Sequence, residues 1–170
     1  MSGRVLFLTV LIALSTLTIS ACKEDDTALF RQSKQLARQF HEAVMIRDIE
    51  VMGALAYYPF HFDNSDVIKD RVQFKKVMNK RLSSMQARMK SARSMESVTY
   101  NGFVSGHEIR GKKLEGDVAK REAEKLNFEE GDVLVRCFAV DSEKREDGRD
   151  YYVVLRKDDL GDLKIHTYFD

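Results

Sequence analysis

Three side chains around the single proline of the sequence could act together on a ligand. His61 and Asp63 are two residues apart, so they share a face if the chain there is extended. Tyr58 and Asp63 flank Pro59, where the chain can turn side chains toward a cavity. An acid beside a tyrosine hydroxyl is one arrangement that moves protons. Tyr58, His61 and Asp63 are therefore candidate pocket residues.

Arg136 is the fourth candidate because it is the one charge in the apolar stretch Val133 to Val140. A buried guanidinium needs a carboxylate or a ligand as partner. We expect an ion pair, either with a neighbouring strand or with an acid such as Asp63. The alternatives are a position at the sheet surface and a cavity in which Arg136 binds an anionic ligand. Cys137 in the same stretch is expected to be a small buried thiol.

No cofactor or metal site is predicted. The four histidines have no close pair at helical spacing, and a metal site needs three or four ligands at defined geometry. Nucleophile-elbow, phosphate-loop, zinc-protease and dithiol motifs are all missing from the sequence. The histidines are His41, His61, His107 and His166.

The N-terminus carries an export signal. Arg4 is followed by an apolar run from Val5 to Ile19, and small residues then precede Cys22. This order resembles the lipobox of bacterial lipoproteins, which implies that the Cys22 thiol receives diacylglycerol and becomes the acylated N-terminus. The alternatives are a plain signal peptide or an uncleaved anchor, although the run is shorter than the ~20 residues that span a bilayer.

This resemblance sets domain bounds and a location. Residues 1–21 are the predicted signal peptide, 22–26 the lipidated cysteine and a short tether, and 27–170 a single domain. In Gram-negative lipoproteins, Asp after the cysteine retains the protein in the inner membrane. Lys23 stands there instead, which predicts the periplasmic face of the outer membrane, or otherwise the outer face of the cell membrane.

Charge excludes one class of partner and suggests another. The chain has 28 Lys and Arg against 27 Asp and Glu, and removing Arg4 with the signal peptide leaves it neutral, so nucleic acid is not expected. Residues 69–93 nevertheless carry nine Lys or Arg and only one acid, Asp70. This basic helix either exposes a solvated face whose positive charge balances the acidic C-terminal half, or it binds anionic lipid head groups.

Apolar spacing predicts helices first and strands after them. An amphipathic helix follows Thr27, a short helix capped by Asp48 ends before Pro59, and a third helix runs from Val67 to Ser91. Four strands follow, over Val98–Ile109, Val133–Val140, Tyr151–Arg156 and Leu163–Phe169. Alternation in the last strand predicts Ile165 and Thr167 on one face and His166 and Tyr168 on the other. The predicted core consists of Leu36, Phe40, Phe74, Met78, Leu82, Met85, Val135 and Val153.

These elements indicate an α+β domain with N-terminal helices packed on a curved antiparallel sheet. Their order resembles the cone-shaped fold of nuclear transport factor, ketosteroid isomerase and SnoaL-type cyclases: a long helix, a short helix ending in Asp48 to Phe60, a helix over Phe74 to Met89, and a sheet closing on Leu163 to Phe169. The resemblance implies a site between the helices and the concave sheet face.

Three functions remain open for such a domain. We expect a non-catalytic module that binds a small ligand or a partner. The second possibility is a cofactor-free enzyme of the isomerase or cyclase type, using an acid such as Asp63 with a tyrosine donor. The third is a structural accessory that docks an envelope protein through an exposed sheet face.

Overall fold

The structure, a computed structural model, describes residues 28–63, 65–109, 112–140 and 146–170. The predicted signal peptide, Cys22 and the tether lie outside these residues. The chain divides into two compact units, 1–32 and 33–170, and only the helical residues 28–32 of the first are described. None of the helices in the described ranges has the length and apolar character needed to cross a bilayer.

Helices and strands are interspersed along the described residues, and two strands already precede the third helix. The helices are α1 (28–46), α2 (Ile49–Leu55), α3 (Arg71–Met89), α4 (Tyr100–Val104) and α5 (Gly116–Lys125). The strands are β1 (Ala56–Phe62), β2 (Asp66–Ile68), β3 (Ser94–Thr99), β4 (His107–Ile109), β5 (Lys112–Leu114), β6 (Val133–Val140), β7 (Glu146–Lys157) and β8 (Leu163–Phe169).

Side-chain caps fix where two of the helices begin. The Asp48 carboxylate accepts from the Val51 N–H at 3.0 Å, and the Asp70 carboxylate accepts from the Gln73 N–H at 2.8 Å. The second cap places the start of α3 at Arg71 and not at Val67, as the sequence predicted. Residues 66–68 instead form strand β2, which pairs with β1.

Six strands form one mixed sheet in the order β2-β1-β8-β7-β6-β3. All neighbours are antiparallel except β1 and β8, which run parallel. The prediction of a wholly antiparallel sheet is therefore wrong at this pair. The two strands are separated by most of the domain's sequence, so no tight turn imposes antiparallel pairing on them.

Helices α1 and α3 cover one face of the curved sheet. The predicted core lies here, and all of its residues except Leu36 are at most 4 % exposed. Three aromatic rings follow one another across this face: Phe62 lies 5.2 Å from Tyr168, and Tyr168 lies 5.7 Å from Tyr151, between ring centroids. Large rings therefore fill the interior at this level.

The opposite face of the sheet is covered by the segment between β3 and β6. Residues 100–132 hold α4, the β4–β5 hairpin and α5, where the sequence predicted a continuous strand to Ile109. Thr99 ends the strand because its hydroxyl accepts from the Gly102 N–H and caps α4. This insertion forms a second core against the sheet, with Phe103, Ala119, Ala123, Leu126, Phe128, Leu134, Tyr152 and Val154.

A bulge changes the predicted faces of β8. Leu155 is opposite Ile165, but Val154 is opposite Thr167, so His166 is the extra residue. Tyr168 therefore packs on the helix-covered face against Phe40 and Phe62, and Thr167 faces the other way. The prediction that His166 and Tyr168 share a face is wrong because simple alternation does not continue through a bulge.

Truncation of Leu82 tests the packing of α3. Its side chain is 4 % exposed on the buried side of the helix. We expect Leu82→Ala to lower the free energy of unfolding by about 2–5 kcal/mol, measured by urea denaturation, because a cavity replaces the lost side chain. The exposed Lys80→Ala variant on the same helix should change it by less than about 0.5 kcal/mol. Equal stability of both variants would contradict this placement.

Candidate functional site

The four residues singled out by the sequence do not converge. Tyr58, His61 and Asp63 lie in or beside β1, whereas Arg136 lies in β6, and β8 and β7 separate these strands. Three inter-strand spacings of about 4.8 Å place the two strands roughly 14 Å apart. Each of these residues has a local environment of its own.

Tyr58 and Asp63 make contacts close to their own backbone. The Tyr58 hydroxyl donates to the Gly53 carbonyl at 3.3 Å, and its ring packs edge-on against Phe74. Asp63 accepts from the Asp170 N–H at 2.9 Å, and burial raises the pKa of its carboxyl. The Asp170 carboxylate in turn accepts from the Tyr168 hydroxyl at 2.9 Å. An acid and a tyrosine hydroxyl are thus linked through Asp170.

His61 packs beside a second, buried histidine. The His61 and His166 rings lie 4.9 Å apart, and Tyr57 lies 5.7 Å from His166 on the other side. Burial, followed by the Arg156 charge, lowers the pKa of both imidazoles, and that of His166 falls to about 3. Both rings are therefore neutral at pH 7. The described residues contain no group of three or more metal-ligating side chains around them or elsewhere.

Arg136 is buried in a row of charges that crosses three strands. Its Nε donates to the Asp150 carboxylate of β7 at 3.0 Å, and its Nη1 donates to Glu96 of β3 at 3.1 Å. The Tyr152 hydroxyl donates to the same oxygen of Asp150 at 2.5 Å. Arg136 is only 3 % exposed and is paired with neighbouring strands, not with Asp63. Its role here is structural.

An open hollow of about 560 Å³ lies between α1 and the connection from α3 to β3. Its size is typical of sites for small molecules. Apolar side chains make up much of its surface, and three cations stand around it with a single carboxylate. The lining residues are Arg38, His41, Glu42, Met45, Ile46, Lys90, Ala92, Arg93 and Met95.

His41 connects this hollow to the sheet. Its Nδ1 lies 2.8 Å from the Tyr151 hydroxyl, which also bonds to the Cys137 thiol. Burial raises the pKa of Cys137 to about 12, so the thiol is protonated and inert, as the sequence indicated. Because Nδ1 is engaged with Tyr151, the other edge of the imidazole ring is the one left for a ligand in the hollow.

The charges around the hollow favour an anion. Burial and then Arg93 lower the pKa of His41, against the opposing effect of Glu42, so the imidazole is neutral at pH 7. Arg93 is held in place because its Nη1 donates to the carbonyls of Lys90 and Ala92, at 2.9 and 3.1 Å. Together with Arg38 and Lys90 it gives the hollow three positive charges against one negative charge.

Sequence reasoning did not find this hollow. Arg38, His41, Glu42 and Met45 recur at intervals of three, one and three, which is one stripe of a helix and a detectable signal. The facing wall at 90–95, however, begins in the last residues of a helix predicted to end at Ser91 and continues into residues for which no helix or strand was predicted before Val98. Only the three-dimensional pairing of β3 with β6 brings that wall beside α1.

No family model matches the chain. No curated protein matches it either. Among solved structures it is similar to an NTF2-like protein with a cystatin-like fold from Novosphingobium aromaticivorans, with 11 % identity and a TM-score of 0.47 over 92 % of this chain and 87 % of that one.

Two further bacterial structures are similar over most of their length. An NTF2-like protein of unknown function from Pseudomonas putida KT2440 shares 13 % identity, with a TM-score of 0.42, over 84 % of this chain and 85 % of that one. A candidate ketosteroid isomerase from Shewanella frigidimarina shares 10 % identity, with a TM-score of 0.42, over 79 % and 90 %.

Removal of the Arg136 charge tests its structural role. Arg136→Met removes the guanidinium from the buried Asp150 carboxylate, so we expect a loss of about 3–5 kcal/mol in the free energy of unfolding. Arg81→Met, which removes an exposed ion pair with Asp66, should cost less than about 1 kcal/mol. Urea denaturation compares the two, and an Arg136→Met variant as stable as Arg81→Met would refute the buried pair.

Proposed function

We propose that this domain binds a small anionic molecule in the hollow between α1 and the α3–β3 connection and does not transform it. The observation that carries this proposal is the excess of cations around an apolar hollow of ligand size. Arg93 is oriented by two backbone carbonyls through Nη1 alone, so its other N–H groups remain available for a ligand. A carboxylate or sulfonate fits such a guanidinium through paired hydrogen bonds.

Binding is favoured over catalysis because the hollow lacks a suitable acid. Its lining carboxylate, Glu42, is exposed to water. The alternative, an isomerase-type enzyme, is supported by the raised pKa of Asp63 and its link through Asp170 to Tyr168. That group lies outside the hollow, and both of its hydrogen bonds are satisfied within the fold. A ligand in the hollow would not reach it.

Docking of an envelope protein through the sheet is less well supported. The sheet face opposite α1 and α3 is covered over Leu134, Tyr152 and Val154 by the insertion 100–132. A partner would therefore meet the insertion and not an open apolar sheet. The small-ligand proposal needs no such exposed face.

We also propose that a lipidated Cys22 anchors the domain to a membrane and that the domain faces the periplasm, on the outer membrane in a Gram-negative cell. The signal-like N-terminus supports this anchoring, and Lys23 supports a location at the outer membrane.

For an anchored domain, helix α3 is the element proposed to contact anionic lipid head groups. Lys69, Lys76 and Lys80 are exposed and form no ion pair among the described residues, whereas Arg71, Arg81 and other cations of the helix pair with local acids.

A matched pair of fluorescent probes tests the anion site. We expect anilinonaphthalene sulfonate to bind the full-length protein and to lose at least about tenfold in affinity in Arg38→Gln/Arg93→Gln, because charge-assisted bonds contribute roughly 1.5–3 kcal/mol each. The neutral analogue phenylnaphthylamine lacks the sulfonate, so its affinity should change little. Fluorescence titration measures both probes.

The control for this test removes two cations elsewhere. Lys76→Gln/Lys80→Gln changes the net charge equally on the outer side of α3, and it should leave sulfonate binding unchanged. If this control weakens binding as much as Arg38→Gln/Arg93→Gln does, the probe senses overall charge only and the proposed site is wrong. Unchanged sulfonate binding in Arg38→Gln/Arg93→Gln would also show that the proposed site is wrong.

Mass spectrometry of the N-terminal peptide tests the anchor. We expect a mature chain that begins at Cys22, with diacylglycerol on its thiol and fractionation with membranes. Cys22→Ala should abolish the lipid and release the domain to the soluble fraction, while Cys137→Ala should not. An unmodified peptide that begins at Met1 or at another cleavage site would disprove lipidation.

A further inference from the structure

A second hollow continues from the first around α1. It encloses about 370 Å³ and shares Glu42 and Ile46 with the first hollow, so these two residues border both. Its remaining lining residues are Gln39, Ala43, Asp48 and Val51, and none is a cation. The Asp48 carboxylate already caps α2 through the Val51 N–H. Positive charge is thus confined to one end of the combined surface.

The border between the hollows exposes apolar side chains. Ile46 is 74 % exposed and Val51 is 42 % exposed. Met45 and Met95 extend the apolar surface toward the cations. Methionine side chains adapt readily to flexible apolar ligands. These side chains give the border an apolar surface that the chain of a flexible ligand can cover.

We propose that the ligand is a long-chain carboxylate, with its anionic head at Arg38, Lys90 and Arg93 and its acyl chain over Ile46 into the second hollow. This inference rests on the proposed anion site and adds a binding surface for the acyl chain of the ligand. Arg38 and Ile46 are eight residues apart, which is about 12 Å along α1 at 1.5 Å per residue. A compact anion would occupy the first hollow only and leave Ile46 uncovered.

Charge complementarity fixes the direction of the chain. Asp48 borders the second hollow alone and would repel a carboxylate there, while the cations of the first hollow attract it; Glu42 borders both hollows and does not distinguish them. Glu42 is exposed, so its carboxylate can stay in water while its methylene groups contact the acyl chain of the ligand. The head and the tail of the ligand therefore have separate, non-interchangeable places.

Photolabelling with two isomeric probes tests this arrangement on the full-length protein. One dodecanoate derivative carries a diazirine next to the carboxylate and the other carries it at the chain end. Peptide mapping by mass spectrometry should place the first label at 90–95 and the second at Ala43 or Val51. Ile46→Asn should reduce chain-end labelling at least about fivefold, whereas Val72→Asn, at a similarly exposed site on α3, should not.

Competition separates the chain from the head group and the free ligand from membrane lipid. Unlabelled dodecanoate should suppress labelling at a concentration at least about tenfold lower than hexanoate, because each further methylene is buried. Phosphatidylglycerol vesicles with the same acyl concentration should suppress it less than dodecanoate. Stronger suppression by the vesicles would assign the site to membrane phospholipid and overturn the proposal.

The remaining outcomes distinguish failure of the inference from failure of the proposed function. If both probes label 90–95 alone, chain length has no effect and Arg38→Gln/Arg93→Gln abolishes labelling, the anion site stands and the long-chain ligand is wrong. If neither probe labels either hollow, or labelling is indifferent to Arg38→Gln/Arg93→Gln, the proposed anion site fails as well.

Discussion

The central strands β6 and β7 are covered on both faces, by α1 and α3 on one side and by the 100–132 insertion on the other. Residues 133–139 of β6 and 151–155 of β7 are therefore apolar at nearly every position, in contrast to the alternating pattern of a sheet with one wet face. Arg136 is compatible with this burial because carboxylates on both neighbouring strands neutralise it. The same burial excludes water from Cys137 and the Tyr151 ring.

Filling of the helix-covered face explains why the candidate site lies at its border. Rings from β1, β8 and β7 pack against one another on this face. His41 continues this series, stacked 6.2 Å from Tyr151, and it is the first member that reaches open space. The hollow thus lies at the end of this row of packed aromatic rings.

Local sequence signals predicted α1, α2, most of α3 and the last three strands because each of these elements has a strong pattern of its own. Asp48 caps α2 as predicted, and β6 and β8 begin and end where the apolar stretches do, whereas the Asp70 cap of α3 was not predicted. The buried state of Arg136 was also deducible, since an isolated charge among apolar residues needs a partner.

Features that depend on strand register were not predictable in this way. The identity of the partners Glu96 and Asp150 follows from the pairing of β3, β6 and β7, which no local pattern encodes. The bulge at His166 and the parallel pairing of β1 with β8 also depend on strands that are distant in the sequence, so no local pattern encodes them. The hollow was missed for this reason, since one of its walls is built from residues 90–95.

The insertion 100–132 joins two strands that are hydrogen-bonded neighbours, β3 and β6. A simple hairpin turn would be enough to connect these two strands. The longer segment instead contributes Phe103 and Phe128 to a hydrophobic core against the sheet. Shortening of this segment during evolution would therefore expose Leu134, Tyr152 and Val154 together and create an apolar surface prone to association. Homologues with a shorter connection are consequently expected to carry polar residues on this side of β6 and β7 or to bury it between subunits.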